Sequence, residues 1–133
     1  MRRPSNKTVI RYLLELARGS GLAGWRIDIA EEPAAAEHWV SVSVERSQAV
    51  ATLSLNADLF DQPPADQRHY LVHELVHVHL APLDWSFEDA ALSLGVRARR
   101  FAEGTWDQRS ERACDDIARL LSPRLPLPPW GVR

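Results

Sequence analysis

Tyr70-Leu71-Val72-His73-Glu74-Leu75-Val76-His77-Val78 is an apolar run that carries a His-Glu-x-x-His pattern, and the plan of the whole chain follows from it. A helix advances about 100° per residue, so His73 and His77, four apart, stack on one face and offer imidazole nitrogens to a single cation. Two neutral imidazoles suit Zn²⁺. Glu74, one position along, is near enough to hold the ion's water without displacing a ligand. Val72, Leu75, Val76 and Leu80 place apolar groups on both flanks and the back, leaving His69, His73 and His77 as the polar stripe. Such a helix is buried on most of its circumference and belongs at the centre of a fold, its stripe lining a cleft.

On the N-terminal side of this helix the pattern changes period. Trp39-Val40-Ser41-Val42-Ser43-Val44 alternates apolar and polar residues, and Ala51-Thr52-Leu53-Ser54-Leu55 does so again after the polar break Glu45-Arg46-Ser47-Gln48, which predicts a hairpin. Trp25-Arg26-Ile27-Asp28-Ile29 alternates too and adds a third strand. Ahead of it, Ser5 or Asn6 can cap a helix over 6–18, with Val9, Ile10, Leu13, Leu16 and Ala17 at helical spacing and Gly19 as its stop. Beyond Asn56 and Pro63-Pro64 the histidine helix is expected over 65–81, ended by Pro82. A third helix is expected over 86–103 up to Gly104, and a fourth over 107–121 up to Pro123. The expected class is therefore α+β, a small, mostly antiparallel sheet covered by an active-site helix and flanking helices. The expected organisation is one domain over 1–122 and a Pro-rich tail over 123–133, which runs extended and is anchored by Trp130.

The 133 residues suffice for one core and are too few for two domains. A formal charge of −2 gives no electrostatic reason to expect a nucleic-acid partner, and the basic cluster Arg97, Arg99 and Arg100 reads as a solvated helix face. No apolar run approaches a membrane span. Arg11 and Glu15 interrupt the hydrophobic stretch that a signal peptide needs, and the single Cys114 permits no intrachain disulfide, so a cytoplasmic location is expected. Nothing in the sequence reports an oligomeric state. Cys114 itself reads as a small buried thiol, and Trp25, Trp39, Trp85 and Trp106 as core residues first and cleft residues second.

Two histidines leave zinc under-coordinated, since a catalytic site needs a third protein ligand and one open position. A His-x-x-Gly-x-x-His continuation would require glycine at Leu80 and histidine at Leu83, so it is absent. His79 lies about 200° round the helix from His77 and reads as a packed or solvated histidine. On the fourth helix Glu111 and Asp115 share a face. One of these carboxylates is available to the ion and the other to the spare N–H of a ligand histidine.

His73-Glu74-x-x-His77 followed by Glu111-x-x-x-Asp115 resembles the zinc-site pattern of the gluzincin metallopeptidases. Ser54-Leu55-Asn56, then His73-Glu74-Leu75, then Glu111 through Ala118 to Leu121 and Pro123 is also similar to the ImmA/IrrE-type metallopeptidases and to small phage-encoded peptidases. The resemblance covers roughly residues 49–123, and only its metal motif is specific. It implies a zincin-like fold, Zn²⁺ on His73, His77 and Glu111, Glu74 as catalytic base, Asp115 as the partner of a ligand histidine, and a peptide or protein substrate. Larger gluzincins carry a Tyr or His downstream of the glutamate ligand for the oxyanion, and nothing after Glu111 here is either. His69, Tyr70, Tyr12 and Arg109 are the substitutes the sequence offers. The exposed edge of the Ala49–Leu55 strand is the expected place for a substrate backbone to pair. The alternative keeps the metal without turnover, as a zinc-stabilised regulatory or partner-binding module; the missing oxyanion group favours it and the intact Glu74 opposes it.

Overall fold

A computed structural model describes residues 2–131. Helix α1 spans Asn6–Gly19, strands β1, β2 and β3 span Arg26–Ile29, Val40–Val44 and Val50–Leu55, and helices α2 and α3 span Pro64–Ala91 and Val96–Leu121. Short 3₁₀ turns follow β3 at Ala57–Asp61 and α3 at Ser122–Arg124. The class is α+β, three helices with a small open sheet. No helix among the described residues is long and apolar enough to cross a membrane.

The α1 cap is the expected one: the Ser5 hydroxyl accepts from the Thr8 N–H at 3.2 Å, satisfying one of the donors that a helix start leaves free. Val9, Tyr12, Leu13, Leu16 and Ala17 are its buried stripe. The sheet departs from expectation in two respects. Its order is β1-β3-β2, with β3 antiparallel to β2 and parallel to β1. One pairing of each kind replaces the mostly antiparallel sheet, because the chain crosses from β1 to lay β2 two positions away, and the hairpin then turns β3 back between them. The second departure follows from the first. The Ala49–Leu55 strand has no free edge, since Leu53 pairs with Val42 on one side and Ile29 on the other. The free edge beside α2 belongs to β2. Within β3 the alternation is complete: Ala51, Leu53 and Leu55 are buried while Val50, Thr52 and Ser54 are half-buried.

The helices also differ. Pro82 does not end α2, which continues to Ala91, and Gly104 lies inside α3; two long helices stand where three shorter ones were expected. An internal proline costs a helix about 3 kcal/mol through its missing N–H and its clash with the preceding turn. Packing beyond it offsets that cost. Phe87 stacks on Trp106 with ring centroids 4.7 Å apart and planes at 5°, and the Trp106 indole donates to Asp84 at 2.7 Å. The break falls instead at 92–95, where Gly95 takes an extended conformation ahead of α3.

The core joins α1, the inner sheet face, α2 and the end of α3 through Leu13, Leu53, Phe60, Leu71, Leu75 and Cys114. The Pro-rich tail, expected to run extended, is instead interrupted by 3₁₀ turns at Ser122–Arg124 and Pro129–Gly131, and it is held against this body; residues 132–133 lie outside the described residues. Tyr12 donates its hydroxyl proton to the Pro126 carbonyl at 2.7 Å, Arg68 donates to the Leu125 carbonyl at 2.8 Å, and the Trp130 indole donates to the buried Gln67 side chain at 2.8 Å. Trp130 meets Tyr12 and Phe60 edge-on, so the expected anchor sits between α1 and α2.

Candidate metal centre

Helices α2 and α3 run antiparallel, with His69 opposite Asp115, His73 opposite Glu111, and Asp84 opposite Trp106. This register turns a spacing in sequence into a site. The polar stripe of α2 meets the carboxylate face of α3, and the apolar flanks of α2 (Leu71, Val72, Leu75, Val76) are fully or almost fully buried on either side. The helix has no freedom to rotate the stripe away.

One donor atom each from His73, His77 and Glu111 lies within 4.8 Å of the others. His77 Nε2 is 3.2 Å from His73 Nε2 and 2.7 Å from Glu111 Oε1, and His73 Nε2 is 3.1 Å from Glu111 Oε2. Ligand bonds of about 2.0–2.1 Å in a tetrahedral arrangement place donor atoms about 3.3 Å apart. The group therefore has the size and the donor chemistry, two imidazoles and a carboxylate, to hold a divalent ion of zinc's kind. Other divalent ions take the same donors, so the geometry is not specific to zinc.

Asp115 was expected to receive the spare N–H of a ligand histidine, and its surroundings are more divided than that. Its Oδ1 lies 2.8 Å from His69 Nε2 and 3.7 Å from His73 Nδ1, and its Oδ2 accepts from Arg119 at 2.8 Å. The short bond goes to His69, one turn before the His73–His77 pair, while His73 sits at ion-pair range. His69 foremost, with Arg119 and His73 adding their charge, holds the Asp115 carboxyl below its ordinary value. Burial, then the neighbouring His77, holds the His73 imidazole below its ordinary value against the opposing pull of Glu111 and Asp115. A ligand histidine must be neutral at the bonding nitrogen, so this shift favours metal.

Glu74 is the strongly perturbed carboxyl of the site. Burial, then the charge of Glu111, pushes it from 4.5 up to about 8. A group with that value takes up and returns protons near neutrality. It lines a cleft of about 380 Å³ together with His77, Glu111, Asp84, Trp85 and the β2 edge residues Val40, Val42 and Val44.

The remaining expected residues scatter. Tyr70 lines the adjoining hollow with His73 and Glu74, and stacks on Trp39 with centroids 4.4 Å apart. Arg109 lies in an apolar groove with Leu80, Phe87 and Phe101, away from the hollows around the metal group. Tyr12 is buried against the tail. His79 donates its Nε2–H to the Ser20 carbonyl at 2.6 Å, beside the turn made by Gly21 at φ 86°. Cys114 is fully buried, and burial foremost pushes its thiol up to about 12, which removes it as a nucleophile. Sequence reasoning missed His38 and Asp84 as cleft residues, while Trp85, read as a core residue first and a cleft residue second, does line the cleft. Asp84 was masked by the expectation that α2 stopped at Pro82. Comparison of the chain with protein-family models, with curated proteins and with solved structures finds no significant match.

Proposed function

We propose that the chain is a zinc-dependent metallopeptidase of zincin-like fold, and the convergence of His73, His77 and Glu111 beside a half-buried Glu74 is the observation that carries this reading. Zinc bound by those three residues would supply Lewis-acid polarisation of the scissile carbonyl and of water. The residues of the chain perform the rest. Glu74 accepts the proton of the attacking water and returns it to the departing amine, general acid–base work worth about 10²–10⁴-fold. The raised proton affinity of its carboxyl suits both halves of that exchange. His69, Asp115 and Arg119 brace the helix pair one turn from the ligands and hold a negative charge behind His73.

The free edge of β2 borders the cleft, so an extended peptide can pair with Val40–Val44 and pass its carbonyl over Glu74. The substrate class is therefore a peptide or an unstructured protein segment, with the apolar side chains of Val40, Val42 and Val44 as its floor. The test is zinc content by elemental analysis for wild type, Glu111→Ala and Glu74→Gln, with cleavage of a randomised peptide pool read by mass spectrometry. About one zinc per chain in wild type and in Glu74→Gln, its weakening in Glu111→Ala, and turnover in wild type alone are the expected results. Equal zinc in all three with no cleavage by any would refute the peptidase reading.

A further inference from the structure

The chain has five histidines, and the structure gives a side-chain partner to four of them. His69 meets Asp115, His73 and His77 meet Glu111 and each other, and His79 meets the Ser20 carbonyl. His38 is the exception: its ring is exposed and has no hydrogen-bond partner among the described residues. Yet it borders three adjoining hollows around the metal group, one with Glu74 and His77, one with His73 and Glu74, and one with His77 and Glu111. It is not one of the three residues whose donor atoms cluster tightly enough for a shared ion.

The backbone that carries His38 is held firmly. Its own N–H donates to the Ala35 carbonyl at 2.9 Å. The Asn56 side-chain amide donates to the carbonyls of both His38 and Ala35, the latter at 3.1 Å, and the Asn56 backbone N–H donates to the Trp39 carbonyl at 2.9 Å. On the other side Trp39 stacks on Tyr70 of α2, one turn before the ligand His73. The 35–39 loop is thus tied to the end of β3 and to the active-site helix at once, immediately ahead of the free edge of β2. Holding a backbone this way while leaving its imidazole unpaired is how a donor is readied for a charge that develops only during reaction.

We infer that His38, positioned by Asn56, is the catalytic residue that donates a hydrogen bond to the carbonyl oxygen as it becomes an oxyanion, the role for which no Tyr or His follows Glu111. This rests on the peptidase reading. Water adds to the carbonyl carbon, its proton leaves to Glu74, and the C–N bond breaks as that proton passes to the amine; His38 keeps its own proton and only shares it. Approaching from the loop before β2, it reaches a peptide paired with that edge from the N-terminal side of the strand. Nothing after Glu111 is then required.

The test compares wild type, His38→Ala, His38→Gln, Asn56→Asp and the double variant His38→Ala/Asn56→Asp. Each is assayed for zinc content, melting temperature, turnover of the randomised peptide pool, and calorimetric affinity for a phosphinic tetra-alanine analogue, whose charged P–O group stands in for the oxyanion. Loss of one such donor lowers kcat by about 10²–10³-fold. His38→Ala should show that loss in kcat with KM within about threefold, weaken the phosphinate by a similar factor, and leave zinc content and melting unchanged. His38→Gln, which keeps an N–H, should recover about tenfold. Asn56→Asp should lower kcat likewise, and the double variant should lose little more than His38→Ala, since the two act through one group. Wild-type turnover and phosphinate affinity in His38→Ala, beside an inactive Glu74→Gln, would overturn this inference and leave the peptidase reading standing. Reduced zinc in His38→Ala would overturn it too, by making His38 a ligand. A wild type that neither cleaves the pool nor binds the phosphinate would overturn both.

Discussion

Exchange of Glu74 for Gln should stabilise the metal-free protein, and only above a definite pH. In the folded chain the Glu74 carboxyl lies on α2 between Leu75 and His73, with Glu111 facing it, and it binds its proton far more tightly than the ordinary 4.5, at about 8. Its burial is the larger cause, and the like charge of Glu111 adds to it. Folding therefore takes up a proton at this position across that window. The proton-linked contribution to stability is complete below pH 4.5 and is lost as the pH rises through 8. Gln has no such dependence. The Glu74→Gln advantage is then nil at pH 4.5, opens between 4.5 and 8, and is level above.

The ceiling on that advantage comes from the size of the shift. At about 1.36 kcal/mol per pKa unit, the displacement from 4.5 to about 8 amounts to about 4–5 kcal/mol. Water in the cleft beside Glu74 screens part of it, so about 1–3 kcal/mol is expected at pH 8.5. Urea unfolding followed by tryptophan fluorescence, in the presence of chelator at pH 4.5, 6, 7 and 8.5, measures the difference directly. A pH-independent difference, or a wild type more stable than the variant at pH 8.5, would refute the placement of Glu74 in a desolvated, negatively charged corner. On the proposed peptidase reading, the stability so sacrificed is what a base poised near neutrality would cost its fold.

Zinc added to chelated wild type at a hundredfold excess over its Kd should raise stability by about 2.7 kcal/mol, read as an increased melting temperature, and Glu111→Ala should lose most of that gain because it leaves only the two α2 histidines. Trp130→Ala should cost about 2–4 kcal/mol in urea unfolding, since it removes the edge-on contacts with Tyr12 and Phe60 and strips the buried Gln67 side chain of its donor. Native Cys114 should resist a thiol-specific disulfide reagent until urea unfolds the chain, as its full burial requires; fast labelling of the native protein would contradict the packing of α3 on the core.

Periodicity carried the parts of the fold that depend on local pattern. The stripe of α1, the alternation in β2 and β3, and the face shared by His73 and His77 follow from 3.6-residue and two-residue repeats, which a sequence displays directly. Strand order does not. Whether β1 joins β3 or β2, and in which direction, depends on how a non-alternating connection of ten residues between Ile29 and Val40 crosses the sheet, and no local signal reports it. Placing Glu111 beside the histidines needed the register of α2 on α3, which the spacing of Glu111 and Asp115 suggested and the Asp115–His69 contact supplies. His38 was out of reach for a different reason. It lies far from the motif in sequence, and only the return of β3 and the clamp of Asn56 carry it to the cleft.

Pro82 shows how a local rule and a functional need can oppose one another. Read alone, the proline ends the histidine helix about one turn after His77, and the cleft beside Glu74 then has no far wall. In the structure the helix continues, and the turns beyond the proline present Asp84, Trp85 and Glu88 to the cleft, with Arg46 paired to Glu88 at 2.8 Å and to Asp89 at 3.2 Å from the hairpin side. The same turns present Phe87 to Trp106. The residues that offset the cost of the proline are thus interleaved with those that lengthen the cleft alongside β2. A peptide bound as proposed, against Val40, Val42 and Val44, would meet this second wall along its length. The helix had to outlast its proline for that wall to exist, and stacking on α3 is what allows it to.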